Sequence, residues 1–346
     1  MPLLAIETTC DETAAAVITR QRTVLGSVVA SQEALHARWR GVVPEVAARA
    51  HVERILPVIA EAVDRSGVHR SELEVVAVAV RPGLVGSLLV GLAAAKGIAL
   101  GFGLPLVGYD HLAAHLYACR LVHGSRVRYP ALGLVVSGGH TALYRVGTPT
   151  DLERLGGTID DAVGEAFDKA AALLGLGYPG GPWIERTARD GDPRSVRLPR
   201  PLAADRDRID MSFSGLKTAL RVRVRPPGTP ADQPPPTGQA RADLAAAFEQ
   251  AAVDTVVAKV EVALERTGLR QVLVGGGVAA NSRLRAALTL AGGRHGAEVL
   301  VPPPSLCTDN AAMGAIAWEH VERGDVGGAL LDVAPGTDRS AARRAR

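Results

Sequence analysis

Aromatic side chains are scarce in this sequence, at 3% of 346 residues. That scarcity excludes base stacking on aromatic platforms as the main mode of nucleic-acid recognition. Cysteines are few as well. Cys10, Cys119 and Cys307 stand far apart without CxxC spacing, which excludes a disulfide framework and a zinc knuckle. The N-terminus lacks a basic region, and Glu7, Asp11 and Glu12 interrupt any apolar run, so no signal peptide is expected. Only Leu84 to Leu104 forms a long small-apolar stretch. It contains Lys96 and several glycines, and reads as a helix buried against a sheet rather than a membrane span. The expectation is a cytoplasmic chain with no membrane partner.

A hydrophobic content of 47% over this length suffices for two packed domains. The net charge of +3 is unevenly spread: Arg194 to Arg208 is basic, and Arg339 to Arg346 carries four arginines. Such segments suit solvated surface or phosphate contacts.

The chain opens as strand (Leu3 to Glu7), turn, strand (Thr13 to Thr19) and strand (Val24 to Ala30). A helix follows from Pro44, then an apolar strand (Leu73 to Val80) and the small-residue helix. At Ala131 the strand-turn-strand pattern restarts. Helices fit Asp160 to Leu174 and Asp243 to Arg266, a strand fits Gln271 to Val274, and a last helix fits Thr308 to Val321. The expected organisation is therefore α/β, with duplicated βββαβα domains around a central cleft. Residues 1–129 form the first domain and 130–325 the second, with a proline-rich extended insertion at 221–239 and a disordered tail at 326–346.

His111 and His115 lie four residues apart, so a helix puts both imidazoles on one face, about 6 Å apart in rise. That suits two ligands of one metal. Leu112 occupies the position where a metalloprotease helix carries its catalytic Glu. Asp309, after Pro302-Pro303-Pro304, is the best candidate for a third, oxygen ligand, although Thr308 or Asp309 could instead cap the helix that follows. Two histidines and one carboxylate suit iron or zinc. Ser137-Gly138-Gly139-His140-Thr141 forms a tight turn whose backbone can approach an anion. Gly275-Gly276-Gly277 opens a helix and can wall a nucleotide, with Asn281 hydrogen-bonding it; the acid expected of a dinucleotide fingerprint is misplaced at Glu298. Asp161, Glu165 and Asp168 share a helical face, and one of them could hold ribose hydroxyls.

These segments carry a resemblance, together with Ile6 to Thr13, Gly41 to Glu45, Pro82 to Leu88 and Ser212 to Lys217. From about residue 3 to 322 the chain resembles the bacterial tRNA N(6)-adenosine threonylcarbamoyltransferases, a family once described as sialoglycoprotein endopeptidases. The resemblance implies an actin/Hsp70/sugar-kinase-like fold. It also implies transfer of a threonylcarbamoyl group from threonylcarbamoyl-AMP to N(6) of adenosine 37 in tRNAs reading codons that begin with A. His111, His115 and Asp309 match the family's metal ligands, with iron(II) the first choice and zinc the alternative. Val135, Val136, Ser137, Gly138, Gly139, Asp168, Gly181, Glu185 and Asn281 match positions that hold the adenylate. Asp11 or Glu12 could take the proton of the adenosine amine. Implied partners are tRNA, a paralogous actin-like subunit, a small ATPase and the adenylate-forming synthase. The competing readings are a metal-dependent glycoprotease and a non-catalytic paralogous subunit.

Overall fold

The computed structural model describes residues 2–228, 230, 233–327 and 332. The arginines of the tail, Arg339 to Arg346, lie outside the described residues.

The chain divides into two compact units. The first comprises Met1–His36, Val42–Gly124 and the segment from Asp309 onward; the second comprises Ala37–Gly41 and Ser125–Thr308. In the first unit β1 (Pro2–Glu7), β2 (Glu12–Thr19) and β3 (Val24–Ser31) form an antiparallel meander. Then come α1 (Glu33–His36), α2 (Pro44–Ser66), β4 (Val75–Arg81), α3 (Val85–Phe102), β5 (Leu106–Asp110) and α4 (His111–His123). The sheet order is β3-β2-β1-β4-β5, with β4 and β5 parallel to β1. β1 and β4 are continuously apolar up to their last residues, and almost every position is buried, as expected of strands covered on both faces.

The second unit repeats this plan. β6 (Ala131–Val136), β7 (Thr141–Thr148) and β8 (Asp151–Gly157) form the meander, followed by α5 (Val163–Leu173), α6 (Gly180–Ala188), α7 (Ser214–Val224) and α8 (Gly238–Thr267). β9 (Gln271–Gly275), α9 (Ser282–Arg294) and β10 (Glu298–Leu300) complete a sheet ordered β10-β9-β6-β7-β8. In each sheet both pairings on one side of the first strand are antiparallel and both on the other side are parallel. The expected duplication is present in strand order and sense.

Several expectations change in detail. The final segment, counted with the second domain from sequence, clusters with the first unit. A 3-10 helix (Ala311–Ile316) and α10 (Ala317–Glu322) replace the single helix expected from Thr308, and they pack on β1, β2, α4 and β5. Helix α5 begins only at Val163, because Asp160 turns away to another partner. The first residues of the expected insertion belong to α7, which ends at Val224, and its last residues to α8, which begins at Gly238. Among the described residues α3 alone has the length and apolarity of a membrane-crossing helix. It buries Leu88, Leu92, Ala95 and Ala99, and packs against α2 and β4.

Candidate metal centre and nucleotide-binding residues

In the first unit, Asp110 at the end of β5 starts α4 by accepting the Ala113 N–H at 2.9 Å, an N-cap that sets His111 as the first helical residue. His111 and His115 then stack one turn apart, with ring centroids 4.5 Å apart and planes at 74°. Asp309 comes to the same place from the far end of the chain. Its Oδ1 lies 3.0 Å from His115 Nε2 and 3.6 Å from His111 Nε2. One ligand atom from each of the three residues lies within 4.8 Å of the others, close enough to converge on one ion. The capping role considered for Thr308 or Asp309 falls to Asn310, whose Oδ1 accepts the Met313 N–H at 3.2 Å.

Behind His111 sits a residue the sequence reading did not assign. Glu7 is fully buried at the end of β1, and its Oε2 lies 3.2 Å from His111 Nδ1. Thr9 supports it: its N–H donates to Glu7 Oε1 at 2.8 Å, and its hydroxyl lies 3.2 Å from the same ring nitrogen. A carboxylate behind a ligating imidazole fixes the ring and leaves Nε2 for an ion. A buried acid closing an otherwise apolar strand was the available signal. Among the described residues His115 has no such support, since its buried Nδ1 finds no hydrogen-bond partner there.

The electrostatics call for positive charge. Burial would lower the pKa of His111, but Asp309 and Glu7 outweigh it and raise it to about 9. Burial, Asp309 and Asp11 push Glu12 up to about 10. This crowd of acids with two imidazoles fits a divalent cation, and the His-His-Asp group is compatible with a single metal site. Beside it, buried His51 ties down the segment bearing Asp11 and Glu12. Its Nε2 contacts the Cys10 carbonyl at 3.0 Å and its Nδ1 the Thr13 hydroxyl at 2.8 Å.

The second unit gathers the glycine-rich segments. Ser137 to Gly139 turn between β6 and β7, closed by Ser137 N–H to the His140 carbonyl at 2.7 Å. Ser137 Oγ accepts the His140 N–H at 3.0 Å. Among the described residues, no hydrogen bond engages the N–H of Gly138 or Gly139. The start of α5 lies against this turn, and a Cβ on Gly164 would come within 2.6 Å of the Ser137 carbonyl oxygen. Gly276, at φ +95°, presses its backbone on the Val136 carbonyl, an approach closed to any side chain. Val135 and Val136 are buried in β6, so only their backbone can face a ligand.

The acids of this region take different partners. Asp168 Oδ1 accepts the Gly180 N–H at 2.6 Å and caps α6, whose second residue is Gly181. Asp161 and Glu165 both pair with Lys169, at 2.8 and 2.7 Å. Glu185 on α6 reaches α9. Its Oε1 accepts the Ser282 hydroxyl at 2.5 Å, and its Oε2 lies 3.4 Å from Asn281 Nδ2. The displaced acid Glu298 accepts hydrogen bonds from Arg126 and Gln271.

Of the basic residues expected to meet phosphates, Arg200 pairs with Asp254 and Arg206 with Glu265. Arg208 lies near Asp205 and Asp210.

Known structures define the class. The chain aligns with (R)-2-hydroxyglutaryl-CoA dehydratase component A of Acidaminococcus fermentans at TM-score 0.54 and 14% identity, over 93% of this chain and 99% of that one. It aligns with HypF of T. kodakarensis at TM-score 0.61 and 13% identity, over 94% of this chain and 48% of that one. The fold is that of the actin/Hsp70/sugar-kinase-like proteins. Sequence carries the assignment further. The family model described as tRNA N6-adenosine threonylcarbamoyltransferase matches residues 23–316. Proteins of that name in Rhodopirellula baltica and Trichlorobacter lovleyi are 51% and 52% identical to it. The first match covers 97% of both chains, the second 92% of this chain and 91% of its relative. The chain belongs to the tRNA N6-adenosine threonylcarbamoyltransferase family. It is a transferase with tRNA as its substrate.

Proposed function

We propose that the chain transfers threonylcarbamoyl from threonylcarbamoyl-AMP to N(6) of adenosine 37, in tRNAs reading codons that begin with A. The observation that carries this reading is the convergence of His111, His115 and Asp309, backed by Glu7, in a chain half identical to relatives of that activity. The three residues would hold one divalent cation, iron(II) in first place and zinc as the alternative, since imidazole nitrogen with one carboxylate suits both. When bound, such a cation supplies Lewis-acid polarisation of the threonylcarbamoyl carbonyl.

The chain's own residues do the rest. Gly138 and Gly139 N–H groups receive the phosphate of the adenylate and stabilise the charge that grows as AMP leaves. Val135 to Ser137 supply backbone to the same wall, and Asp168, Gly181, Glu185 and Asn281 hold the nucleoside. The amine attacks the carbamoyl carbon, the bond from that carbon to the phosphate oxygen breaks, and AMP departs. An exocyclic amine is a weak nucleophile, so holding it in line contributes as much as activating it. Asp11 or Glu12 takes the amine's proton.

The reading places the protein in the cytoplasm, working with a paralogous actin-like subunit, a small ATPase and the adenylate-forming synthase. Exposed Val52 and Leu56 on α2, with Val85 and Leu89 on α3, support a protein partner for the first unit. Mass analysis of tRNA nucleosides after depletion of the protein in its own cell tests the activity. Loss of threonylcarbamoyladenosine is expected, and an unchanged level would contradict it.

A further inference from the structure

We propose that Glu249 is a positioning residue for the nucleotide: it locks the amide of Asn281 so that this side chain offers an N–H, and not a carbonyl oxygen, to the adenylate. Glu249 lies mid-way along α8 at 2% exposure, among Ala245, Phe248 and Ala252. A carboxylate so placed is costly unless both oxygens are matched. Both are. Oε1 accepts Asn281 Nδ2 at 2.7 Å, and Oε2 accepts Arg283 Nε at 2.7 Å.

The opposite end of the amide is equally fixed. Asn281 Oδ1 accepts the Leu284 N–H at 2.8 Å and so caps α9. Rotating the amide by half a turn would set its oxygen against the Glu249 carboxylate and its NH2 against the Leu284 N–H. Both contacts are repulsive, so only one orientation survives. Among the described residues the second hydrogen on Nδ2 faces only Glu185 Oε2, at 3.4 Å. That contact is long, and an acceptor atom of the nucleotide can replace it. The Glu249 carboxylate thus decides the hydrogen-bonding polarity of residue 281.

The inference rests on the reading of Asn281 as an adenylate-holding residue, and a network that merely joins α8 to α9 is its rival. Calorimetry with AMP on the full-length protein separates them, with melting temperature recorded for each variant. Asn281→Ala and Glu249→Ala should each weaken AMP binding about tenfold or more. The double variant should lose no more than the worse single one, because the two residues act through one amide. The paired exchange Asn281→Asp with Glu249→Gln swaps donor and acceptor while keeping the contact between the helices. It should restore the melting temperature but leave AMP binding about tenfold weak or worse. Wild-type affinity in the exchanged pair would overturn the inference. So would unchanged affinity in Glu249→Ala alongside a loss in Asn281→Ala. Unchanged affinity in Asn281→Ala would instead remove the reading of Asn281 on which the inference rests.

Discussion

At His111 the two ring nitrogens face different acids, Glu7 behind and Asp309 in front, and this polarity was not legible in the sequence. The i, i+4 spacing gave the shared face of the histidines, and Asp309 was reachable as the acid after a proline run. Glu7 was not assigned, because spacing along a chain says nothing of contacts 104 residues apart. Glu249 escaped for the same reason, although an acid amid alanines and a phenylalanine of a long helix is a readable anomaly. Two outcomes follow. His111→Ala or His115→Ala should abolish stoichiometric metal binding in a folded protein, measured by elemental analysis with circular dichroism. Glu7→Gln should keep the metal but weaken its affinity about 10–100-fold, the usual cost of losing a carboxylate behind a ligating histidine. A chelator competition titration reads this directly, and unchanged affinity would show that Glu7 only fills space.

Among the elements, α7 shows how a charged segment acquires its role from its neighbours. Asp160 was read as part of a helix, yet its carboxylate accepts the N–H groups of Phe213 and Ser214 and the hydroxyls of Ser212 and Ser214. It therefore caps α7 from outside the chain segment that forms it, which no local pattern reveals. Burial works against its charge, but these hydrogen bonds prevail and hold the Asp160 carboxyl below the ordinary range. A depressed carboxyl contributes stability above its unfolded value, about 3.9, and loses it as pH falls through the lower folded value. Asp160→Asn should thus cost stability at neutral pH, on the order of 1 kcal/mol for a lost cap, and the deficit should shrink in acid below about pH 4. Thermal melts across pH check it, and a deficit that does not change with pH would contradict the charge argument.

Further along α7, Arg221 and Arg223 are exposed. Their side chains make no ion pair or hydrogen bond among the described residues, unlike Arg200 and Arg206. Arg221→Glu with Arg223→Glu should weaken tRNA binding and flatten its salt dependence while leaving AMP binding intact. Binding titrations at two salt concentrations decide, and identical slopes would move the tRNA surface elsewhere. The missed strands share one cause. β5, only five residues long, and β8, with three of its seven positions exposed, carry too little periodicity to stand out, whereas buried β4 and amphipathic α2 were plain.

For the whole molecule, the repeated strand-turn-strand openings foretold the duplicated sheets, and the ordered motifs foretold the family. The return of the chain to its first unit at Asp309 was hidden, because packing partners for Ala311 to Glu322 lie some 200 to 300 residues earlier in the sequence. The consequence matters for chemistry: the third member of the His-His-Asp group arrives on that returning segment, so the group exists only in a chain folded through residue 309. The central claim is transfer to tRNA dependent on this group. Its most direct measurement incubates the purified protein and the proposed partner subunits with threonylcarbamoyl-AMP and unmodified tRNA, then analyses digested nucleosides by mass. Wild-type protein should produce threonylcarbamoyladenosine, and Asp309→Ala, folded by circular dichroism, should produce almost none. Equal product from both proteins, or none from the wild type in the complete mixture, would contradict the account.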